Sequence, residues 1–196
     1  IMFKTLAIAG LSLSCLLVSG VASANWQLLN DKSQLSFVSI KKNSIAEASH
    51  FTQLSGQLSE QGQFSLNVDL TSAETFIPIR NERLSKILFE SDTFASAVLT
   101  ADLSEKLSLI KQPGQYVLKG ISAELDFHGH KKPLAVDVLV SSAENGDLSV
   151  ASFTPIIIKS DDFKVTEGIM QLQKLAGLPS IATAVPVTFA LTFKKQ

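Results

Sequence analysis

Alternation of apolar and polar residues is the feature that most constrains the fold of this chain. Within residues 63–70, every even-numbered residue is apolar and every odd-numbered residue is polar. A period of two places alternate side chains on opposite faces of a β-strand, so this segment predicts a strand with one buried and one wetted face. The same pattern recurs in five later segments of the chain: 97–103, 121–127, 134–140, 148–158 and 187–193.

Turn signals separate these segments. Asn145-Gly146 between two alternating runs is typical of a tight hairpin. Residues 60–62, 112–114 and 129–133 also contain the Gly or Pro that turns require. Together with residues 35–40, whose facing is ambiguous, and a short strand near Trp26, the chain predicts about eight strands joined mainly by hairpins. Such an all-β set closes into an up-and-down barrel or folds as a sandwich.

Two segments break the alternation and predict short helices. Residues 80–89 place Leu84, Ile87 and Leu88 on one helical stripe, with Asn81 as the expected N-cap. Residues 169–176 have a similar helical spacing, and Gly177 suits the C-terminal cap. We expect helices inserted between strands to cover an open end of the barrel.

The first 24 residues predict a signal peptide. Lys4 supplies a positive charge, residues 6–18 are almost wholly apolar, and Ala22-Ser23-Ala24 provides the small residues of a cleavage site. The alternative is a lipoprotein anchored at Cys15, but apolar residues on both sides of that cysteine favour a place inside the leader. We therefore expect a periplasmic protein that consists of one domain over residues 25–196.

The composition argues against several classes of function. The formal net charge is −1 and the charged residues are scattered, so no basic face favours nucleic acid. His128 and His130 lack a third neighbouring ligand, and Asp161-Asp162 are adjacent residues that would point apart on a strand. No nucleophile or phosphate-binding motif is present. The sequence predicts no metal, no cofactor and no catalytic residues.

Short motifs along the chain support a family resemblance. They follow one another in a fixed order: Trp26, Ser33–Phe37, Phe51–Gly56, Asn81–Leu84, Phe94–Ala97, Lys119–Gly120, Phe127–Pro133 and Ser160–Phe163. In this order they resemble the YceI-like family of periplasmic, lipocalin-like isoprenoid-binding proteins. The chain departs from the family pattern at Ala95, which stands in place of a proline, at Ser160 in place of an arginine, and at Lys164 in place of a glycine.

The resemblance implies an eight-stranded antiparallel lipocalin-like barrel with one or two short helices and an apolar lumen. The implied function is that of a non-enzymatic carrier for an isoprenoid lipid with a polyprenyl or quinone-like tail. A fatty acid or fatty amide is the alternative cargo. The alternatives from other classes are a quinone-linked redox accessory or enzyme and a protein-interaction domain with a filled core. Transient membrane contact and a homodimer are compatible with carriage.

Alternating strand positions and the flank of the first helix select the residues expected to bind the lipid. The predicted lumen residues are Phe37, Leu66, Phe89, Phe94, Leu99, Leu125, Phe127, Ile156 and Phe189. Three polar residues are candidates for contact with a head group, namely Arg80, Arg83 and His128. The two arginines lie three positions apart and so share one face of a helix.

Overall fold

The structure is a computed structural model that describes residues 24–110 and 112–196. The predicted signal peptide therefore lies outside the described residues, apart from Ala24. Twelve strand segments form a single antiparallel sheet: β1 (Ala24–Leu28), β2 (Gln34–Lys41), β3 (Ile45–Phe51), β4 (Leu54–Ser59), β5 (Gln63–Asp69), β6 (Ala73–Glu74), β7 (Ser96–Asp102), β8 (Gly114–Phe127), β9 (His130–Ser142), β10 (Leu148–Ser152), β11 (Ile156–Lys159) and β12 (Ala184–Lys195).

The sheet closes into a barrel because β12 pairs with β1 on one side and with β10 on the other. Phe193 lies opposite Leu28 of β1 and also opposite Leu148 of β10. The closed ring runs in the order β1-β4-β5-β7-β8-β9-β10-β12. Segments β2, β3 and β11 extend strands of this ring past short interruptions, so the chain runs up and down eight times. The predicted eight-stranded antiparallel barrel is confirmed.

Side chains supply the hydrogen bonds that are missing where the strands are interrupted. Asn30, between β1 and β2, donates to the carbonyl of Thr52 at 3.0 Å and accepts from the N–H of Leu54 at 2.6 Å. It thus spans the break between β3 and β4 on the neighbouring strand. Ser152 likewise accepts from the N–H of Phe189 at 3.1 Å.

One predicted strand is divided in the structure. The alternation over residues 148–158 predicts a continuous strand, but the chain leaves the ladder between Ser152 and Ile156. Pro155 in this interval has no N–H to donate, which explains why pairing cannot continue through it. A second irregularity is a β-bulge in β8 at Lys119-Gly120, where Gly120 has a φ of +62° and its N–H reaches the Asp137 carboxylate at 2.8 Å.

Large side chains fill the end of the barrel near the β9–β10 hairpin. Phe64 and Phe193 meet edge to face at 6.1 Å, and Leu148 is buried nearby. The Trp26 indole N–H donates to the carbonyl of Gly146 at 2.7 Å. The Asn145-Gly146 hairpin predicted between two strands is therefore confirmed, and it is fastened to the first strand of the barrel.

The first helix differs in detail from the prediction. Helix α1 (Pro78–Arg83) begins two residues earlier than expected and continues as one π-helical turn over Leu84–Leu88. Pro78 occupies the first turn, where its missing N–H costs nothing. The prediction of Asn81 as the N-cap is wrong, because its side-chain oxygen instead accepts from the N–H of Thr75 at 2.9 Å.

The C-terminal helix has the predicted cap. Helix α3 (Thr166–Leu175) ends in a Schellman arrangement, in which Leu178 N–H bonds the Gln173 carbonyl and Gly177 N–H bonds the Lys174 carbonyl. Gly177 has a φ of +62°, the left-handed conformation this cap requires. A further helix, α2 (Ser104–Leu107), is absent from the sequence-based prediction. None of the helices in the described part of the chain is long and apolar enough to cross a membrane.

Close packing of α3 on the π-helical turn depends on Gly168. A Cβ atom at this position would stand 2.8 Å from the Ile87 carbonyl oxygen and 3.1 Å from the Leu88 Cα. Both contacts are to backbone, which cannot rotate away. The two helical segments therefore pack at a distance that only glycine permits.

We expect Gly168→Ala to push α3 away from the π-helical turn and to lower the free energy of unfolding by about 1–3 kcal/mol, as overpacking does. Urea denaturation followed by circular dichroism measures the change. Gln171→Ala, at an exposed position of the same helix, is the control and should leave the stability nearly unchanged. Equal stability of the two variants would contradict this account of the packing.

Candidate functional site

An open cavity of about 400 Å³ occupies the barrel end that α1 and α3 cover. Leu84, Leu88, Ile169 and Leu172 line it from the helices, while the strands supply the remaining wall. The helices predicted to cover an open end of the barrel thus roof this cavity.

The structure brings eight of the nine predicted lumen residues to the wall of this cavity. These residues are Phe37, Leu66, Phe89, Leu99, Leu125, Phe127, Ile156 and Phe189. They come from six strands and from the end of the π-helical turn, which shows that the alternating positions converge on one space. Their contact with a lipid stays a prediction.

Phe94 and His128 lie elsewhere. The Phe94 ring packs against the His128 imidazole with centroids 4.3 Å apart, and neither residue lines the cavity. His128 and Gly129 form a two-residue hairpin turn in which both have positive φ values of 52° and 71°. This turn is shorter than the predicted segment 129–133. Because His128 belongs to the turn and not to β8, it does not follow the strand alternation that places Phe127 in the cavity wall.

The surroundings of His128 are aromatic and acidic. Its Nε2 atom is buried without a hydrogen bond, 3.7 Å from a carboxylate oxygen of Glu90. The prediction that His128 contacts a lipid head group therefore does not fit the structure, because His128 lies outside the cavity.

Phenylalanine rings form a continuous series along the cavity wall and its cover. Phe37 contacts Phe51 at 5.3 Å, Phe51 contacts Phe89 at 5.9 Å, and Phe89 contacts Phe127 at 6.0 Å between centroids. Phe163, only 1% exposed, extends the series from Phe127 at 5.4 Å. These separations are typical of favourable aromatic pairs, so the rings hold the cover to the barrel.

Two other phenylalanines are exposed. Phe76 is 73% exposed and Phe153 is 49% exposed. Phe76 lies in the loop before α1, and Phe153 lies at the break between β10 and β11. Neither residue lines the cavity.

The inward faces of β2 and β3 change from apolar to charged toward the hairpin that joins them. On β2 the inward residues are Leu35, Phe37, Ser39 and Lys41 in that order. On β3, Phe51 lies opposite Leu35, Ser49 lies opposite Phe37, and Glu47 lies opposite Ser39. Lys41 and Glu47 retain 16% and 38% of their side-chain exposure, so the charged end of the wall marks an opening to solvent.

Four charged residues meet at this opening. Lys41 and Arg80 both donate to the Glu47 carboxylate, and the Arg80 Nη1 to Glu47 Oε2 distance is 2.9 Å. Arg83 also lines the cavity. Among the residues that the structure describes, Arg83 has no carboxylate within ion-pair distance. Three cations therefore face one carboxylate, and the mouth of the cavity carries a net positive charge.

The ion pairs change the acidity of Glu47. The hydrogen bond from the Lys41 ammonium, together with the charges of Lys41 and Arg80, holds the pKa of the Glu47 carboxyl below its ordinary value of 4.5, while partial burial acts in the opposite direction. Glu47 is consequently ionised at neutral pH, where it orients the two cations.

Sequence reasoning missed several of these residues. Lys41 shares the face of Phe37 by the period of two, so extension of the β2 alternation past Ile40 would have found it. The positions of Glu47 and Ser49 follow from the pairing of β3 with β2, which the sequence does not specify.

Asp161 has a structural role, because the Thr166 hydroxyl at the start of α3 donates to its carboxylate.

The described residues contain no group of three or more His, Cys, Asp or Glu side chains arranged to hold a metal ion. The sequence-based expectation of no metal site remains an expectation.

The sequence model of the YceI-like domain matches residues 26–193, which is most of the chain. The chain belongs to the YceI-like family. Among solved structures, this YceI-like chain is similar to a polyisoprenoid-binding domain from Saccharophagus degradans implicated in plant cell wall breakdown. The two share 31% sequence identity with a TM-score of 0.84, over 89% of this chain and 100% of that domain. A search of curated proteins finds no match.

More distant structures share the fold. BcnA from Burkholderia cenocepacia has 19% identity and a TM-score of 0.64 over 84% of this chain and 98% of its own. A YceI protein from Campylobacter jejuni has 14% identity and a TM-score of 0.51, covering 76% of this chain and 85% of its own. At these identities the likeness shows the barrel architecture alone.

We expect Glu47→Gln to lower stability by about 0.2–1 kcal/mol at neutral pH, the range for partly exposed pairs. Because the pKa of Glu47 is lower in the folded than in the unfolded protein, its ionised form stabilises the fold above about pH 4.5, and this contribution is lost as the pH falls through the lowered folded value. The stability difference between the two proteins should therefore shrink as the pH is lowered below about 4.5.

Urea denaturation at a series of pH values measures this difference. Glu144→Gln removes an exposed loop carboxylate and serves as the matched control. A difference between the wild type and Glu47→Gln that is constant across the pH range would contradict the assignment.

Proposed function

We propose that this YceI-like domain is a non-enzymatic periplasmic carrier that binds the tail of an isoprenoid lipid inside the barrel. The observation that carries the proposal is the apolar cavity of about 400 Å³ beneath α1 and α3, with its charged groups confined to the mouth. The similar domain from Saccharophagus degradans, a polyisoprenoid-binding domain, supports an isoprenoid as the ligand class.

The physical chemistry of such a lipid fits the site. Removing a hydrocarbon tail from water contributes about 0.8 kcal/mol for each buried CH₂ group. The closed barrel provides a wall in which backbone groups are already paired, so an apolar ligand meets few unsatisfied donors or acceptors. Charged residues at the mouth leave a polar head group close to solvent, and the deep wall contacts only the tail.

Two further parts of the proposal concern where the carrier works. A leader-like segment at residues 1–24 supports export to the periplasm, which fractionation of the native cell would test. A carrier must collect and deliver its lipid at membranes, so transient membrane contact belongs to the same hypothesis. Formation of a homodimer stays a prediction that sedimentation can test.

Mass spectrometry of the organic extract from natively purified protein tests the cargo directly. We expect a polyprenyl or quinone mass in stoichiometric amount. A fatty acid or fatty amide would keep the binding site and replace its ligand. An extract without lipid, from protein that also fails to bind added isoprenoids, would refute carriage and favour an interaction domain or an accessory protein of a redox enzyme.

We expect Phe37→Ala to weaken binding of geranylgeraniol about 10- to 100-fold. The substitution removes an aromatic wall contact that is worth about 1.5–3 kcal/mol when buried against the tail. Val38→Ala, which changes the next residue on the outward side of β2, is the control and should bind normally. Isothermal titration calorimetry measures both affinities. Equal affinities would show that this wall does not contact the tail.

The excess of cations at the mouth favours a second candidate, a fatty acid whose carboxylate pairs with Arg83 and Lys41. We expect a fatty acid to bind more tightly than the alcohol of equal chain length at neutral pH, by about 2- to 10-fold, because a charged hydrogen bond is stronger than a neutral one. Arg83→Gln should reduce this preference, since only Lys41 then remains for the carboxylate, and should leave the alcohol's affinity unchanged. A preference of undiminished size in the variant would place the head group elsewhere.

A further inference from the structure

A second, smaller cavity lies deeper in the barrel. Its volume is about 80 Å³, and its wall is formed by apolar side chains together with Lys106. Phe64, Ala101, Ala123 and Leu191 are among the residues that line it. Helix α2 borders it through Leu107, at the end of the barrel opposite α1 and α3.

Three side chains line both cavities and therefore separate them: Leu66, Leu99 and Phe189. Leu66 lies directly opposite Leu99 across the pair β5–β7, and Leu99 lies opposite Leu125 across β7–β8. Leu66 is 1% exposed and Phe189 is 9% exposed, so both fill the space between the cavities. We call these three residues the partition.

The inward rows of the strands continue past the partition without interruption. On β12, Val187 lines the outer cavity, Phe189 lines both, and Leu191 lines the inner one. On β7, Ala97, Leu99 and Ala101 follow the same succession. The two cavities are thus successive parts of one lumen, and side-chain size at the partition interrupts it.

Phe189 is held in place at the break between β10 and β11. Its N–H donates to the Ser152 hydroxyl at 3.1 Å, a side-chain bond that replaces a ladder bond. The ring thus projects from a backbone position that this bond holds.

We propose that Leu66, Leu99 and Phe189 form the floor of the tail-binding cavity and set the longest tail that this protein holds. The inference rests on the proposed function, since it assumes that a tail enters from the mouth. From Lys41 to Leu35 the wall follows β2 for six residue-to-residue steps, which is about 20 Å at about 3.3 Å per step. A longer tail requires the space beyond the partition.

The test compares the affinities of all-trans polyprenols of increasing length for the wild type, Leu66→Ala and Leu99→Ala. Either substitution joins the two cavities, so we expect the tightest-binding polyprenol to become longer by at least one isoprene unit. Leu58→Ala removes the same atoms from the inner cavity alone and is the matched control, with the length preference of the wild type. Leu99→Val, a milder change, serves if an alanine variant does not fold.

The possible outcomes separate the two proposals. If the wild type binds polyprenols and its length preference is unchanged in the folded partition variants, the partition proposal is overturned and the carrier function stands. If the preferred polyprenol becomes longer in the partition variants and in Leu58→Ala alike, general loosening of the core explains the change, and the partition proposal is overturned. If the wild type binds no polyprenol of any length, the carrier proposal fails and the partition proposal fails with it.

Discussion

The pairing of β12 with strands on both of its sides is the constraint on which the rest of the structure depends. Its C-terminal half joins β1 to β10, and its N-terminal half joins β2 to β11. This arrangement removes the free edges that an open sheet would expose. Because the backbone is paired around the ring, the interior does not have to be filled with side chains for the wall to hold. A hollow lumen is possible only under that condition.

The two ends of the lumen differ in how completely side chains fill them. Near the β9–β10 hairpin, Phe64, Phe193 and Leu148 fill most of the interior, whereas α1 and α3 span the other end and leave about 400 Å³ open. An unfilled apolar cavity costs stability, because the side chains around it lose contacts. An apolar ligand that fills such a cavity restores these contacts and so stabilises the protein. The geometry therefore favours a structure that is more stable with an apolar ligand in this cavity than without one.

In the outer cavity the charged side chains lie only at the mouth. Lys41, Glu47 and Arg80 neutralise one another in part at the mouth, with Arg83 beside them. Deeper in the wall, the same strands present Phe37, Leu35 and Phe51. A charged group buried at that depth would need a partner that the apolar wall does not offer. The gradient thus fixes the direction in which an amphiphilic lipid fits.

The family resemblance implied the barrel, since alternation alone is also compatible with a sandwich. The period of two was sufficient to predict about eight strands and to select Leu66, Leu99 and Phe189 as lumen candidates, because side chains alternate in any strand. It failed where the chain leaves that period: the turn at His128-Gly129, the loop before Phe94 and the break at Pro155. The meeting of Lys41, Glu47 and Arg80 depends on the register of β2 with β3 and on the docking of α1. These contacts join residues that are distant in sequence, so only the tertiary structure brings them together. Hollow and filled barrels share the same alternating pattern, and only the packing of side chains in three dimensions decides whether a cavity remains.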